Sequence, residues 1–195
     1  MKQSKPTATV QRGNSRSANL ITGCLAEFGR KELFSDMPSN VIPLIRPYQP
    51  TDLDAVIAIF LGAIREVASK DYDEAQINAW AYTDRSIWEE RRLSRPTWVA
   101  VLDQMIVGFS DLEPSGHLDM MFVHPAYQGI GIASLLLQTV ETAAIRDDLS
   151  RVFTEASLTA QPFFEKRGFQ TLEQQQVAVR GQTFTNFRME KMIDQ

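Results

Sequence analysis

Cysteine occurs once in the 195 residues, at Cys24, and histidine twice, at His117 and His124. A lone thiol cannot build an internal disulfide framework or a cysteine-rich zinc site. Two histidines leave little for a histidine-based metal centre, so no metal is expected. No apolar run approaches the roughly 20 residues that a membrane-spanning helix requires, and no internal repeat is visible. What remains is ordinary globular material, 44% hydrophobic and 23% charged. That is enough to bury a core and excludes a wholly disordered chain. The length suits one domain, with room for a tail.

The net charge of −4 is unevenly spread. Residues 1–36 carry six basic side chains (Lys2, Lys5, Arg12, Arg16, Arg30, Lys31) and three acidic ones (Glu27, Glu32, Asp36), a net of +3. The rest of the chain carries 14 basic and 21 acidic residues, a net of −7. An acidic domain repels nucleic-acid phosphates, so no nucleic-acid partner is expected. Any anion bound there must be held by local geometry rather than by the overall field.

Residues 1–40 read as a disordered extension, in which Met1 to Asn19 is too polar to offset the entropy of ordering. Ile21-Thr22-Gly23-Cys24 resembles a lipoprotein cleavage box, but the residues before it are polar where such a signal needs an apolar stretch. The Arg- and Ser-containing start resembles a transit peptide without its amphipathic period. A start at Met37 is the third reading. The domain proper is expected over residues 41–195, in the cytoplasm, with no membrane partner.

The pattern over that domain alternates helices and strands. Leu44 to Arg46 suits a short strand. Thr51 can cap a helix whose apolar residues fall at Leu53, Val56, Ile57, Phe60, Leu61, Ile64 and Val67, spaced for one face. Asp73 can cap a second helix with Ile77 and Trp80, and a third carries Ile87, Trp88 and Leu93. Three strands, Thr97 to Leu102, Met105 to Leu112 and His117 to Val123, then follow as an antiparallel meander. A long helix ends near Arg146, followed by a strand at Val152 to Ala156. Ser157 to Arg167 suits a helix with Pro162 in its first turn and Gly168 just past its end. Two more strands, Phe169 to Val179 and Thr183 to Met189, join at Arg180-Gly181-Gln182.

The chemistry concentrates between Val123 and Leu137. A glycine-rich turn between a strand and a helix presents free backbone N–H groups at the positive helix end, an arrangement that suits a pyrophosphate. Gly129-Ile130-Gly131 lacks the third glycine of a dinucleotide fingerprint, and no Gly-Lys-Ser/Thr marks a nucleoside-triphosphate loop. The alternative is a plain strand-to-helix turn.

Gln128-x-x-Gly131-x-Ala133, placed after a helix pair and a meander, resembles the signature of the GCN5-related N-acetyltransferase (GNAT) superfamily. Ala160, Phe163, Phe164, Gly168 and Phe169 are similar to that family's later motif, and Leu44-Ile45-Arg46 to its opening strand. Lys70-Asp71-Tyr72, Ala79-Trp80-Ala81 and Glu155-Ala156-Ser157 resemble a group of bacterial acetyltransferases. The resemblance implies an α/β (α+β) fold: a mixed, mainly antiparallel, splayed central sheet with helices on both faces. It implies acetyl-coenzyme A as donor and a primary amine as acceptor, with direct attack in a ternary complex. By position, Gln128, Gly129, Ile130, Gly131, Ile132, Ala133 and Ser134 would hold the pyrophosphate. The backbone of Met121, Phe122 and Val123 would pair the pantetheine arm, and Ser157 and Phe164 would line the cofactor.

The amine must lose a proton before it attacks, and the developing oxyanion needs a donor such as a backbone N–H at the end of the fourth strand. Many relatives carry a tyrosine that protonates the leaving thiolate, where this chain has Phe164. Asp119, Glu155 and Tyr72 are the candidates for proton chemistry. Each has a plainer role open to it: a solvated strand-edge acid, a capping acid and a packed ring. The missing tyrosine leaves a second reading, a catalytically weak acyl-coenzyme A sensor or interaction domain on the same fold. The acidic balance of the domain favours a cationic acceptor, a polyamine, an aminoglycoside or a Lys-rich protein, and the expected assembly is a monomer or homodimer.

Overall fold

The computed structural model describes residues 43–193, so the expectations for residues 1–40 lie outside it. The domain is built on two antiparallel sheets. The first contains β1 (Leu44–Pro47), β2 (Thr97–Leu102), β3 (Met105–Asp111) and β4 (Met121–Val123), in that spatial order. The second contains β5 (Arg151–Ser157), β6 (Gln170–Val179) and β7 (Gln182–Met192), in the order β5-β7-β6. Two tight hairpins have both central residues in the left-handed region: Asp103 and Gln104 at φ 49° and 65°, and Arg180 and Gly181 at φ 46° and 79°.

Helix α1 (Leu53–Gly62) begins differently from the sequence expectation. Thr51 lies inside a short 3-10 turn, Pro50–Asp52, and the residue that organises the entry is Asp52. Its buried carboxylate accepts the Gln49 N–H at 2.8 Å and a two-pronged bond from Arg46 at 2.6 and 2.9 Å. The Arg46 hydrogen bond holds the Asp52 carboxyl below its ordinary range, against the opposing effect of burial. Past Gly62 the helix widens into a π turn at Ala63–Val67 and tightens into a 3-10 turn at Ala68–Lys70. Asp73 caps α2 (Glu74–Trp80) by the reciprocal pairing its spacing suggests: it accepts the Gln76 N–H while the Gln76 side chain accepts its own. Asp84 caps α3 (Arg85–Leu93) by accepting the Ser86 and Ile87 N–H groups.

The two faces of the first sheet are covered by different helices. Val56 and Phe60 of α1 pack with Val99, Phe109 and Trp88 in one core. On the other face α4 (Ile132–Arg146) lies so close that a Cβ at Gly108 would sit 3.0 Å from Ile132 and 3.1 Å from Leu136. Glycine at 108 thus permits the helix carrying the glycine loop to dock on the sheet. Leu137, Val140 and Ala144 continue that face into a second core with Val152, Phe164 and Met189.

The expected strand His117 to Val123 is regular only over its last three residues. His117 pairs in parallel with Phe153 of β5, and Leu118 N–H donates to the Phe153 carbonyl at 2.8 Å. The carbonyl of Met120, two residues later, accepts from Asp111 on β3, and its N–H donates to the Asp111 carboxylate at 2.8 Å. Leu118 and Met120 would face the same side in a regular strand. One extra residue at Asp119 therefore switches the chain from β5 to β3. Below this switch the two sheets are joined; above it β4 and β5 part. The expected helix from Ser157 to Arg167 is likewise shorter. β5 runs through Ser157 and a turn leads into α5 (Gln161–Glu165), with Pro162 in its first turn as expected.

Candidate active site

The switch at Asp119 has a consequence for β4. Its pairing with β3 uses the backbone of Met120, Phe122 and His124, as shown by the Met120 bonds, the Phe109–Phe122 register and His124 N–H on the Val107 carbonyl. Successive residues alternate, so Met121 and Val123 turn their N–H and C=O toward the edge that β5 has left. Phe122 therefore does not offer its backbone to that edge. Its ring instead packs against Phe60 and Phe109 at centroid distances of 5.1 and 5.7 Å.

Beyond β4 the chain makes one 3-10 turn, Pro125–Tyr127, capped by His124 Nδ1 accepting the Ala126 N–H. The glycine loop follows. Gly129 and Gly131 have φ of 81° and 94°, a region that a β-branched residue enters only at a cost. A Cβ at either position would meet nothing within 4 Å, so it is the backbone turn, not crowding, that asks for glycine. Gly131 is the N-cap of the 15-residue α4, whose first N–H groups have no acceptor inside the helix. The loop opens on a cleft of about 430 Å³ that also takes in Met121, Val123, Ser134, Ser157 and Phe164. Arg167, whose sequence position suggests only a helix end, lies on this cleft, stacked over Phe163 at 4.3 Å and donating to the Ser134 hydroxyl. It supplies a positive charge beside a loop otherwise made of backbone.

A second cleft, about 280 Å³, lies on the other side of the parted strands. It shares Trp80, Met121, Phe122, Ser157, Ala160 and Phe164 with the first, so the two meet where β4 and β5 separate. All three expected catalytic residues line it, each already in company. Asp119 Oδ2 is 3.1 Å from Arg95 Nη1 and 4.0 Å from Arg92 Nη2. Glu155 Oε2 is 2.6 Å from His117 Nε2, and His117 Nδ1 is 3.4 Å from Glu113 Oε2. Tyr72 is buried; its hydroxyl donates to the Thr185 carbonyl and accepts the Leu158 N–H, both at 3.0 Å. Burial raises the Tyr72 pKa above its ordinary value, with the Leu158 bond opposing. Phe164, in contact with Phe163 and Phe169, brings no polar group.

Two further groups were not visible in the sequence. Asn186 of β7 lines the second cleft, and its Oδ1 is buried with no hydrogen-bond partner among the described residues. The other is the pair behind Asp119. Asp111, fully buried, lies 2.8 Å from Arg92 Nη1, itself packed against Trp88 and Phe109. Burial raises the Asp111 pKa, while the Arg92 charge and the Met120 N–H oppose that shift. Among the described residues no group of His, Cys, Asp and Glu could hold a metal ion, and no helix is long and apolar enough to cross a membrane.

Known proteins share this fold. Residues 68–191 match the family model described as an acetyltransferase (GNAT) domain. The chain is 44% identical over 146 residues to the Escherichia coli K12 protein named uncharacterized N-acetyltransferase YafP, covering 74% of this chain and 93% of that one. A GCN5-related N-acetyltransferase from Rhodopseudomonas palustris superimposes with a TM-score of 0.75 at 32% identity, over 80% of this chain and 99% of its own. The PaiA N-acetyltransferase of Thermoplasma acidophilum, solved with coenzyme A, shares the fold at 19% identity and a TM-score of 0.61, over 77% and 99% of the two chains. With the glycine loop, the parted strands and the family match over most of the described domain, the chain belongs to the GNAT acetyltransferase family.

Proposed function

We propose that this acetyl-coenzyme A-dependent N-acetyltransferase joins donor and acceptor directly across the gap between β4 and β5. The observation that carries this reading is the meeting of the two clefts at Met121, Phe122, Ser157, Ala160 and Phe164. When bound, acetyl-coenzyme A supplies an acyl group activated as a thioester. The loop from Gln128 to Ala133, with Ser134 and the α4 N-terminus, would hold its pyrophosphate, and Arg167 would add charge at the rim. Met121 and Val123 would pair the amide-bearing arm through their free edge, in the manner of an added strand.

The amine proton is assigned to Glu155. Its carboxylate lines the acceptor cleft, and His117 at 2.6 Å leads outward toward Glu113. An imidazole can accept a proton at one nitrogen and release it from the other, so the trio offers a route away from the cleft. Glu155 is placed ahead of Asp119 because Asp119 is held in ion pairs with Arg95 and Arg92, whereas Glu155 connects through His117 to a path out of the cleft. Tyr72 is assigned a positioning role, since its hydroxyl is already both donor and acceptor. Phe164 cannot donate a proton. A thiol is acidic enough to leave as thiolate without one, its ordinary pKa being about 8.5 for cysteine.

The test is thiol release from acetyl-coenzyme A in the presence of amines, with Glu155→Gln beside the unaltered chain. The expected result is a loss of kcat of about 100-fold, the low end of general-base contributions, with unchanged coenzyme A affinity. Equal turnover in the variant would remove Glu155 from the proton route.

A further inference from the structure

Resting on the acetyltransferase reading, we propose that the acceptor cleft takes a compact monoamine with an apolar or aromatic body, in preference to the polycations that the acidic balance of the domain suggests. Three observations support this. First, the cleft is small: about 280 Å³ is at or below the lower end for small-molecule pockets. It has room for a single ring or a short alkyl chain beside the amine, so the further rings of an aminoglycoside would have to stay outside it.

Second, its walls are apolar. Phe60 and Phe122 stand on one side, Trp80 and Phe184 meet edge to face at 6.1 Å and 76°, and Val177 and Val179 of β6 close the far side. Val177 and Val179 lie two residues apart on one face of the strand and present only methyl groups. A charged substrate body lying against these walls would lose its hydration without replacement.

Third, the polar groups suffice for one nitrogen. Asp119 and Glu155 are the only acidic residues among those described that line the cleft. Arg95 engages the first and His117 the second. Arg95 pairs Asp119 with a permanent cation, which leaves Glu155 for one ammonium; a second ammonium on the same molecule would find no further carboxylate. Asn186 is different: its Oδ1 has no donor, so turning it toward a bound amine sacrifices no hydrogen bond. The amine head is therefore placed between Glu155 and Asn186, with the apolar body against α2 and the β6–β7 hairpin.

The experiment measures thiol release by the full chain at saturating acetyl-coenzyme A, with 2-phenylethylamine, spermidine, kanamycin and a lysine-rich peptide as acceptors. The expected kcat/KM for 2-phenylethylamine exceeds each of the others by at least about tenfold, the scale on which pocket fit discriminates. Val179→Trp, which narrows this cleft and does not touch the coenzyme side, is expected to raise the KM for 2-phenylethylamine about tenfold and to leave coenzyme A affinity unchanged in calorimetry. Turnover of spermidine, kanamycin or the peptide that equals or exceeds that of 2-phenylethylamine overturns the inference while acetyl transfer itself stands. An unchanged KM in Val179→Trp also overturns it. Coenzyme A binding with no thiol release from acetyl-coenzyme A in the presence of any of these acceptors overturns both this inference and the reading beneath it.

Discussion

The two clefts share a wall but are made from different materials. The groups proposed to hold the donor are mostly backbone: two left-handed glycines, the N-terminus of α4 and the free edge of β4, with Arg167 as the one cation among the described lining residues of that cleft. The proposed acceptor side is lined by side chains drawn from α1, α2, β4, β5, β6 and β7. A backbone cradle binds whatever fits its turn and is local in sequence. A side-chain cavity depends on how distant elements pack, and a few substitutions can remake it without disturbing the cradle. This division lets one fold keep a single donor while its acceptors diverge.

Breaking the cradle should give the larger effect. Gly131→Val forces a β-branched residue to φ near 94°. The left-handed backbone costs about 1–2 kcal/mol, and the branch fills the space that a phosphate would use. Coenzyme A affinity measured by calorimetry should fall roughly 5–30-fold from this strain alone, and further where the branch displaces the phosphate. Unchanged affinity would show that the loop is only a turn.

On the acceptor side the expected effect is on stability. Tyr72→Phe removes a hydroxyl that ties Thr185 of β7 to Leu158 beyond β5, and strands the Leu158 N–H. The cost should be about 1–3 kcal/mol by denaturant titration, with coenzyme A affinity intact and the shape of the pH–rate profile preserved. If turnover collapsed while stability held, Tyr72 would be a proton donor rather than a brace.

A smaller effect is expected far from both clefts. The Asp52 carboxyl is depressed chiefly by its Arg46 hydrogen bond. Because its folded value lies below the ordinary value of about 3.9, the stability it contributes is fully present above pH 4 and is lost as pH falls through the folded value. Asp52→Asn should therefore reduce stability at neutral pH by about 1 kcal/mol, since Arg46 is partly solvated, and flatten the acid limb of the stability curve. Neither cleft should respond.

The same division governs what the sequence reveals. Gln128, Gly131 and Ala133 lie within six residues, and the turn they make is dictated by local backbone chemistry, so the loop proposed to hold the donor is legible in the chain. Asp73 and Gly168 are legible for the same reason: each acts on its own helix end. Asn186, by contrast, gains its meaning only when β7 inserts between β5 and β6, and Arg167 only when α5 folds back beside Ser134. The bulge at Asp119 depends on Asp111 of β3 taking the Met120 N–H, so periodicity alone extends the strand through it. Asp119 is found by its strand position, but its ion partner Arg95 comes from the segment just beyond α3 and could not be.

The central claim is that donor and acceptor occupy adjoining clefts at once and react without a covalent enzyme intermediate. No cysteine or lysine is among the described residues that line either cleft. The most direct measurement is initial velocity over a grid of acetyl-coenzyme A and amine concentrations. The account predicts lines that intersect in the double-reciprocal plot, as a ternary complex requires. Parallel lines, the mark of a ping-pong exchange through an acetylated protein, would contradict it.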